Sequence, residues 1–559
     1  MEHAPVQVVW FKRDLRVHDH TPLAQALQQA ATHGPVRCLY VLEPSLWAQP
    51  DMAAQHLGFI RESLADLGRA LRQLGGHLQV QVGEVVDVLA ALHAQTPIAA
   101  LHSHEETGNA HTFARDLAVA RWCREQGVPW HEHRQFGVVR ALKDRNRWQR
   151  TWEAHMAAPQ AMLPAPDVGH FAVPPEHGAA PHPVWPTSEQ LGLDPYQPLQ
   201  RQRGGRICGL AVLDDFLQER CTRYRGGISS PLSAPDACSR LSAHLACGTL
   251  SLREVVQATR ARMVHLAQSS APDAQRQRAG LSAFVSRLYW HCHFIQKLES
   301  QPDIEWRNLH RGYDGLREPD WNPAHFEALT QGRTGWPLVD ACVAMLHHTG
   351  WLNFRMRAML VSVASYPLWL HWQPVGLWLA REFLDYEPGI HWSQMQMQAG
   401  TTGINTTRVY NPVKQAQDHD PHGHFVRRWL PALRRVPDAW LFEPWRMPPS
   451  VQAACGVTVC ADAPARATDA WPLPPVDLGQ ATRTAKTRLH ALRAQPEVKA
   501  AKAAIVQRHG SRKGMPGATA RDANGHEAPT GGRSGTATGK RRTQPAPTLS
   551  PPPQLSLDF

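Results

Sequence analysis

Two arginines, Arg355 and Arg357, stand in one apolar stretch of this sequence, and two carboxylates, Asp385 and Glu387, stand in another. An arginine and a carboxylate in such surroundings are most economically a buried pair, because either charge alone would bear the full cost of leaving water. The pair can be a structural salt bridge, or it can border a flat cofactor with a polar edge. A third stretch, "CSRLSAHLACGTLS" at 238–251, sets small residues, hydroxyls and one arginine ahead of a predicted helix. Backbone N–H groups at such a helix start, with Ser239, Arg240 and Ser242, can cradle a pyrophosphate, although an N-capped helix has the same look. A fourth, "HWSQMQMQAG" at 391–400, mixes large apolar and polar residues in a pattern that suits neither a clean strand nor a clean helix.

Metal and thiol chemistry is not indicated. The ten cysteines are scattered without a CxxC pair, "CGVTVC" has the wrong gap for zinc, and "HCH" at 291–293 sends adjacent side chains in different directions on a helix. Structural thiols in a reducing, cytoplasmic setting and no metal are expected. No apolar run reaches membrane-spanning length, and the first residues turn charged directly after their apolar stretch, so neither a membrane span nor a secretory leader is expected.

The elements that must position these residues follow from periodicity. Residues 5–135 alternate short apolar strands, "VQVVWF", "VRCLYVL", "LQVQVG" and "IAALHSH", with helical stretches at 53–74 and 109–126. That alternation predicts an α/β domain with a doubly wound parallel sheet. The loop after the first strand is "KRDLRVHD" rather than GxGxxG, which argues against an ordinary dinucleotide site there. Residues 136–209 form an interdomain connector, proline-rich from 155 and expected to drape over the surface. From about 210 to 435 the period is helical, within a domain expected to span 210–480: apolar residues at 284, 288, 292, 295 and 298 make one buried stripe. "GWPLVDACVAMLHHTG" has proline just inside and glycine just past a helix, and the next helix buries Leu352, Met356, Met359, Leu360 and Val363. Residues 481–559 read as a basic, largely disordered tail, with no periodicity at all after about 498.

The net charge of +11 is unevenly placed. From Lys499 onward ten Lys/Arg face three Asp/Glu, so seven of the eleven charges lie in the last 61 residues. Any basic footprint on the folded body must therefore be local.

Six ordered segments, "VVWFKRDLRVHDH", "CSRLSAHLACGTLS", "GRTGWPLVDACVAMLHHTGW", "RVYNPVKQ", "DHDPHGHFVRRWLPAL" and "EPW", resemble the photolyase/cryptochrome family over roughly residues 5–480. The resemblance implies an all-α C-terminal domain holding U-shaped FAD, and an N-terminal domain with room for an antenna chromophore of folate or deazaflavin type. It implies light-driven electron transfer to a pyrimidine dimer in DNA, or signalling on the same scaffold, by a monomer. The FAD-binding set it implies is Tyr224, Cys238, Ser239, Arg240, Leu241, Ser242, Phe284, Arg287, His291, Arg357, Asp385, Tyr386 and Glu387. The DNA-contact set is Trp290, Asn353, Phe354, Arg355 and Gln415.

Departures from the family pattern are as informative. Cys238 stands where threonine is usual, Arg287 where a lesion-contacting glutamate is, and Phe354 and Ala358 where asparagine and methionine are. Asn353 stands where (6-4) photolyases have histidine. Trp321 and Trp372 match the outer and middle members of the electron-relaying tryptophans, whereas Met395 takes the inner place and Met397 that of a further tryptophan. Trp392, Trp369, Trp378 and Trp351 are alternative carriers. His391 takes the position beside flavin N5, where an imidazole could donate a proton.

The chain ends "PPPQLSLDF", in which Gln554, Leu555, Leu557 and Phe559 resemble the short peptide by which bacterial repair proteins dock on the sliding clamp. An extended peptide with a leading amide and apolar anchors suits a hydrophobic groove. Three functions are thus expected, in descending order: DNA repair with damaged DNA as substrate, blue-light sensing without repair, and a non-catalytic flavoprotein tethered to DNA or clamp.

Overall fold

The computed structural model describes residues 4–510, apart from 166, 168, 173–184, 405–407 and 465–466. Five parallel strands form the N-terminal sheet: β1 (Val6–Phe11), β2 (Val36–Leu42), β3 (Leu78–Val82), β4 (Ile98–His104) and β5 (Trp130–His133), in the order β3-β2-β1-β4-β5. Every residue of β1 is buried, as a central strand covered on both faces requires. Helices α1 (Thr21–Gln28), α2 (Ala54–Gln73), α3 (Val85–Gln95) and α4 (Ala110–Glu125) cover the two faces. The His20 ring accepts the Leu23 N–H at the start of α1, and Asn109 accepts the Thr112 N–H at the start of α4. The strand order reverses between β1 and β4, and the carboxyl ends of those strands face the helical half.

The helical half is built on α5 (Leu252–Ala267), α6 (Ala274–Ser300), α7 (Pro337–Thr349), α8 (Phe354–Ser365), α9 (Trp372–Glu382) and α10 (Pro388–Ala399). The stripe Phe284, Leu288, Cys292, Ile295 and Leu298 on α6 is buried, as the spacing predicts. Helix α7 begins on Pro337 and ends at Gly350, whose φ of +64° is a left-handed turn that glycine adopts without strain.

Three expectations need correction. The segment 391–400 is not a mixed turn: all but its last residue lie in α10. Its polar residues serve the backbone, for buried Gln396 accepts the Leu309 N–H and donates to the carbonyls of Ile304 and Arg307. The connector is not merely draped, since Trp148 and Trp152 are buried and Phe171 is bridged to Val36 beside the sheet. The folded part also runs past 480 and past 498, through α11 (Leu478–Ala494) and α12 (Pro496–His509). Ala485, Leu489 and Val498 pack on Tyr313 and Tyr366. That apolar stripe is too sparse, among alanine and arginine, to show as periodicity. Among the described residues no helix is long and apolar enough to cross a membrane.

Candidate functional site

Arg357, one turn into α8, meets Asp385 in a two-pronged pair with both N···O distances at 2.9 Å. Its Nε donates to the Leu352 carbonyl, and the guanidinium lies 4.0 Å from the centre of the Phe383 ring. Burial alone would raise the Asp385 carboxyl, but the Arg357 guanidinium, the Ser242 hydroxyl and Arg240 hold it below the usual range. An ionised carboxylate is thus fixed inside the helical half.

Arg240 is set on a strained backbone with φ of +60°, and its guanidinium stacks 3.8 Å from the centre of Trp351. Burial lowers it to about 10 against the pull of Asp385, and among the described residues its guanidinium has no hydrogen bond and no carboxylate within ion-pair distance. A half-buried cation held in this way suits an anion that comes from outside the chain. The backbone around it is braced from behind, because Arg220 donates to the carbonyls of Cys238 and Ser239. Leu241 is buried beneath, and Ser242 opens a short helix, Ser242–Ala246. Burial pushes the Cys238 thiol up to about 12, which leaves it protonated and unreactive. Tyr224 lies edge-on to Phe284, ring centres 5.8 Å apart, and its hydroxyl accepts a hydrogen bond from Arg287. The fit to FAD is therefore good in the donor set: an orphan guanidinium for the diphosphate, and a fixed arginine–carboxylate pair for a polar ring edge.

Other predicted residues turn elsewhere. Tyr386 faces the α/β domain, where its hydroxyl donates to Asp51 at 2.7 Å, and Glu387 is ion-paired with Arg13 from the loop after β1. His291 lies edge-on to Phe136 and is lowered to about 3 by burial. Asn353 is buried with both amide hydrogens spent on the carbonyls of Ile228 and Ser229, so the expected contact with DNA is not available to its amide N–H groups. The ring contacts of Trp290 run along its own helix, to Tyr289, His293 and Phe294. Phe354 and Arg355 open α8 and are half-buried, as is Gln415, whose buried Oε1 has no hydrogen-bond partner.

His391 corrects the proton-donor expectation. Its Nε2–H donates to the Gly376 carbonyl at 2.9 Å, and burial lowers the ring to about 4. The neutral ring therefore has its one proton engaged, and Nδ1 can only accept. Beside it, Trp392 is fully buried, with ring centres 4.9 Å from His391 and 5.9 Å from Trp372. Trp372 donates to Asn308, Met395 packs in the same core, and Trp321 packs on Phe326 at 5.1 Å.

Sequence reasoning implied room for an antenna chromophore in the N-terminal domain but named no residues for it. A cavity of about 90 Å³ lies between the carboxyl ends of β1 and β4 and the helical half, with Trp10, Tyr40, Glu43, Trp47, Asn109 and Tyr386 in its wall. Glu43 gives one oxygen to Arg115, while the other is buried without a partner, and burial pushes its carboxyl up to about 7. Beside that resemblance, the sequence signal is the charge of "KRDLR" at the carboxyl end of the first strand, the edge where such sheets bind ligands. Nearby, Asp14, His20 and His104 bring three ligand-type atoms within 4.8 Å. His20 Nδ1 accepts the Leu23 N–H, so Nε2 carries the proton given to Asp14. That makes a hydrogen-bond network rather than an open metal position.

Residues 7–144 match the DNA photolyase family, and residues 284–491 match the FAD binding domain of DNA photolyase. The chain is 31% identical over 498 residues to a cryptochrome DASH of Gloeobacter violaceus, covering 85% of this chain and 93% of that protein. It is 29% identical to a deoxyribodipyrimidine photo-lyase of Vibrio cholerae, covering 79% and 94%. A bacterial class III photolyase from Agrobacterium tumefaciens superposes with a TM-score of 0.70 at 27% identity, over 89% of this chain and 99% of that one. With the parallel-sheet domain, the helical domain and the paired arginine and carboxylate in place, this chain belongs to the photolyase/cryptochrome family.

Proposed function

We propose that the protein is a light-dependent DNA repair flavoenzyme acting on pyrimidine dimers. The observation that carries this reading is the orphan guanidinium of Arg240 beside the Arg357–Asp385 pair. FAD, when bound and reduced, supplies the electron that an excited flavin passes to the lesion. Arg240 and the backbone of 238–242 would hold its diphosphate, and Arg357 and Asp385 would orient its ring edge. His391, kept neutral, offers an acceptor and withholds a proton. Trp372 and Trp392, in edge contact, support an electron route that does not need an aromatic ring at Met395. The deciding experiment uses chemically reduced protein, which bypasses that route, with dimer-containing DNA under blue light. Restored bases are expected, and no repair of either dimer class by fully reduced protein would sink the reading.

A specific observation favours blue-light sensing as the second reading. Arg287 is engaged with Tyr224, and the amide of Asn353 is engaged with the backbone, so two groups that could read a lesion are already occupied. The aromatic wall and half-satisfied Glu43 of the interdomain cavity support a second chromophore of folate or deazaflavin type there. The clamp-like peptide with Gln554, Leu555, Leu557 and Phe559 lies outside the described residues. Its deletion is expected to abolish capture by the sliding clamp and to leave flavin content intact; unchanged capture would rule out that role.

A further inference from the structure

Helices α11 and α12 carry a charge pattern that their packing does not explain. Their apolar stripe is already spent, with Ala485, Leu489 and Val498 buried against Tyr313 and Tyr366. Arg493 Nε donates to the Tyr313 hydroxyl at 2.9 Å, Arg508 donates to the Ser300 carbonyl at 2.6 Å, and His509 donates from Nε2 to Gln301. The His310 ring closes the joint by donating to the Val498 carbonyl. The two helices are thus pinned to the body, and their outer sides face water.

Those outer sides are basic. Residues 478–509 hold seven Lys/Arg and one acidic residue, Glu497. Residues 478–498 have four Lys/Arg against Glu497, and with the seven net charges that follow them, ten of the chain's net +11 lie in residues 478–559. On α11, Arg483, Lys486 and His490 stand at i, i+3 and i+7, one exposed stripe turned away from Ala485 and Leu489. On α12, Lys499 and Lys502 repeat the i, i+3 spacing. Arg488, on the flank, is answered by Asp320. Arg483, Lys486, Lys499 and Lys502 are exposed, and among the described residues no carboxylate lies within ion-pair distance of them.

An ordinary solvated helix face mixes signs, and like charges three apart on a helix repel each other. Both helices keep such a pair with no carboxylate to offset it, the pattern of a surface completed by a polyanion. The class of polyanion follows from what the face lacks. The apolar stripe is buried and no large apolar side chain is exposed among residues 478–509, so nothing is left to enter a lipid bilayer. The same residues contain no Phe, Tyr or Trp, so unpaired bases find no ring to stack on. What remains is point charges on flexible stems, which suit the phosphates of a duplex and carry no reader for base edges. We propose that the outer face of α11 and α12 binds the phosphate backbone of double-stranded nucleic acid without regard to sequence. The face shares no residue with the candidate flavin site, and lesion repair is not needed for it.

The test is fluorescence anisotropy of the full-length flavoprotein with an undamaged duplex, from about 50 to about 200 mM salt. One variant combines Arg483→Gln, Lys486→Gln, Lys499→Gln and Lys502→Gln, and a second keeps the charge with Arg483→Lys and Lys486→Arg. Each residue that meets a phosphate contributes about 0.9 to the slope of log K against log salt, so the fourfold variant should lose about 2–4 from it. Its affinity at the lower salt should fall at least about tenfold, by the same factor for damaged and undamaged duplexes and for unrelated sequences. The charge-keeping variant should match the parent. Flavin content and melting temperature should stay unchanged in both, since the substituted side chains are exposed. A fourfold variant that loses duplex binding, from a parent that repairs no dimer, would uphold the surface and count only against the repair reading. Unchanged affinity and slope in that variant would overturn the proposal, as would tighter binding of the parent to a single strand, to phosphatidylserine vesicles or to polyglutamate than to the duplex.

Discussion

At the scale of single residues, the Arg357–Asp385 pair can be separated into its structural and its ligand-holding parts. The carboxylate side chain is 6% exposed and the guanidinium 21%, so the pair is buried but keeps one edge open. Asp385→Asn leaves that guanidinium without its anion, and a loss of about 2–4 kcal/mol is expected, at or below the usual range for a broken buried pair because of the open edge. Replacing both partners, Arg357→Met with Asp385→Leu, should recover most of that stability, because no buried charge remains. Flavin retention should not recover with it. The check is the denaturant midpoint of each variant beside its flavin-to-protein absorbance ratio. Full flavin content in the double variant would reduce the pair to a salt bridge, one of the two roles that its residue types allow.

At the scale of elements, the carboxyl-end half of β4 carries a ladder of histidines. Register pairs His102 with His131 and His104 with His133, and the His102 and His131 rings stack at 4.9 Å. Gln7 donates to the carbonyls of Ala26 and Gly34, which turns its Oε1 toward His102 Nε2–H. Burial first, then the neighbouring imidazoles, lower His102 to about 3, His104 to about 3 and His133 to about 4. The sign follows directly. The unfolded rings protonate near pH 6.5 and the folded ones do not, so their stabilising contribution is complete above about pH 6.5 and is lost as pH falls toward 3. His102→Leu should flatten the fall in unfolding free energy by about 1.4 kcal/mol per pH unit between about pH 6 and 4. Urea midpoints across that range decide it, and an unchanged slope would show that His102 is already protonated in the fold. The C-terminal helices offer the parallel test for the opposite half. Leu489→Ala should cost about 2–4 kcal/mol, since that side chain is fully buried against Tyr313 and Tyr366. A negligible change would mean that α11 is only laid on the surface.

These elements also show what the sequence could and could not reveal. Runs such as "VQVVWF" and the five-residue stripe of α6 were legible because one period dominates each. Helices α11 and α12 were not, because two or three apolar anchors among alanines and arginines leave no period to see. The partners of Tyr386 and Glu387 were illegible for another reason. Adjacent side chains diverge at that turn, and which neighbour each one finds is decided by the packing of the two halves rather than by local pattern.

At the scale of the whole molecule, that same turn joins the two halves. Asp385 faces Arg357 inside the helical domain, whereas Tyr386 and Glu387 reach Asp51 and Arg13 of the α/β domain. Three consecutive residues therefore tie the candidate flavin site to the interdomain cavity, whose wall includes both Arg13 and Tyr386. If the tie is mechanical, a change on the α/β side should be felt at Asp385. Glu387→Gln leaves the Arg13 guanidinium, which also donates to the Ala246 carbonyl, without its anion, and about 2–3 kcal/mol of stability should go with it. Flavin retention should fall several-fold, although Glu387 points away from the Arg357 side. Arg13→Met should do the same, and the double variant should cost less than the two singles together, with a coupling of about 0.5–3 kcal/mol. Thermal melts followed separately by flavin fluorescence and by far-ultraviolet dichroism give both quantities from the same samples. Strictly additive losses, with flavin content unchanged throughout, would mean that the two halves touch at this turn without communicating through it.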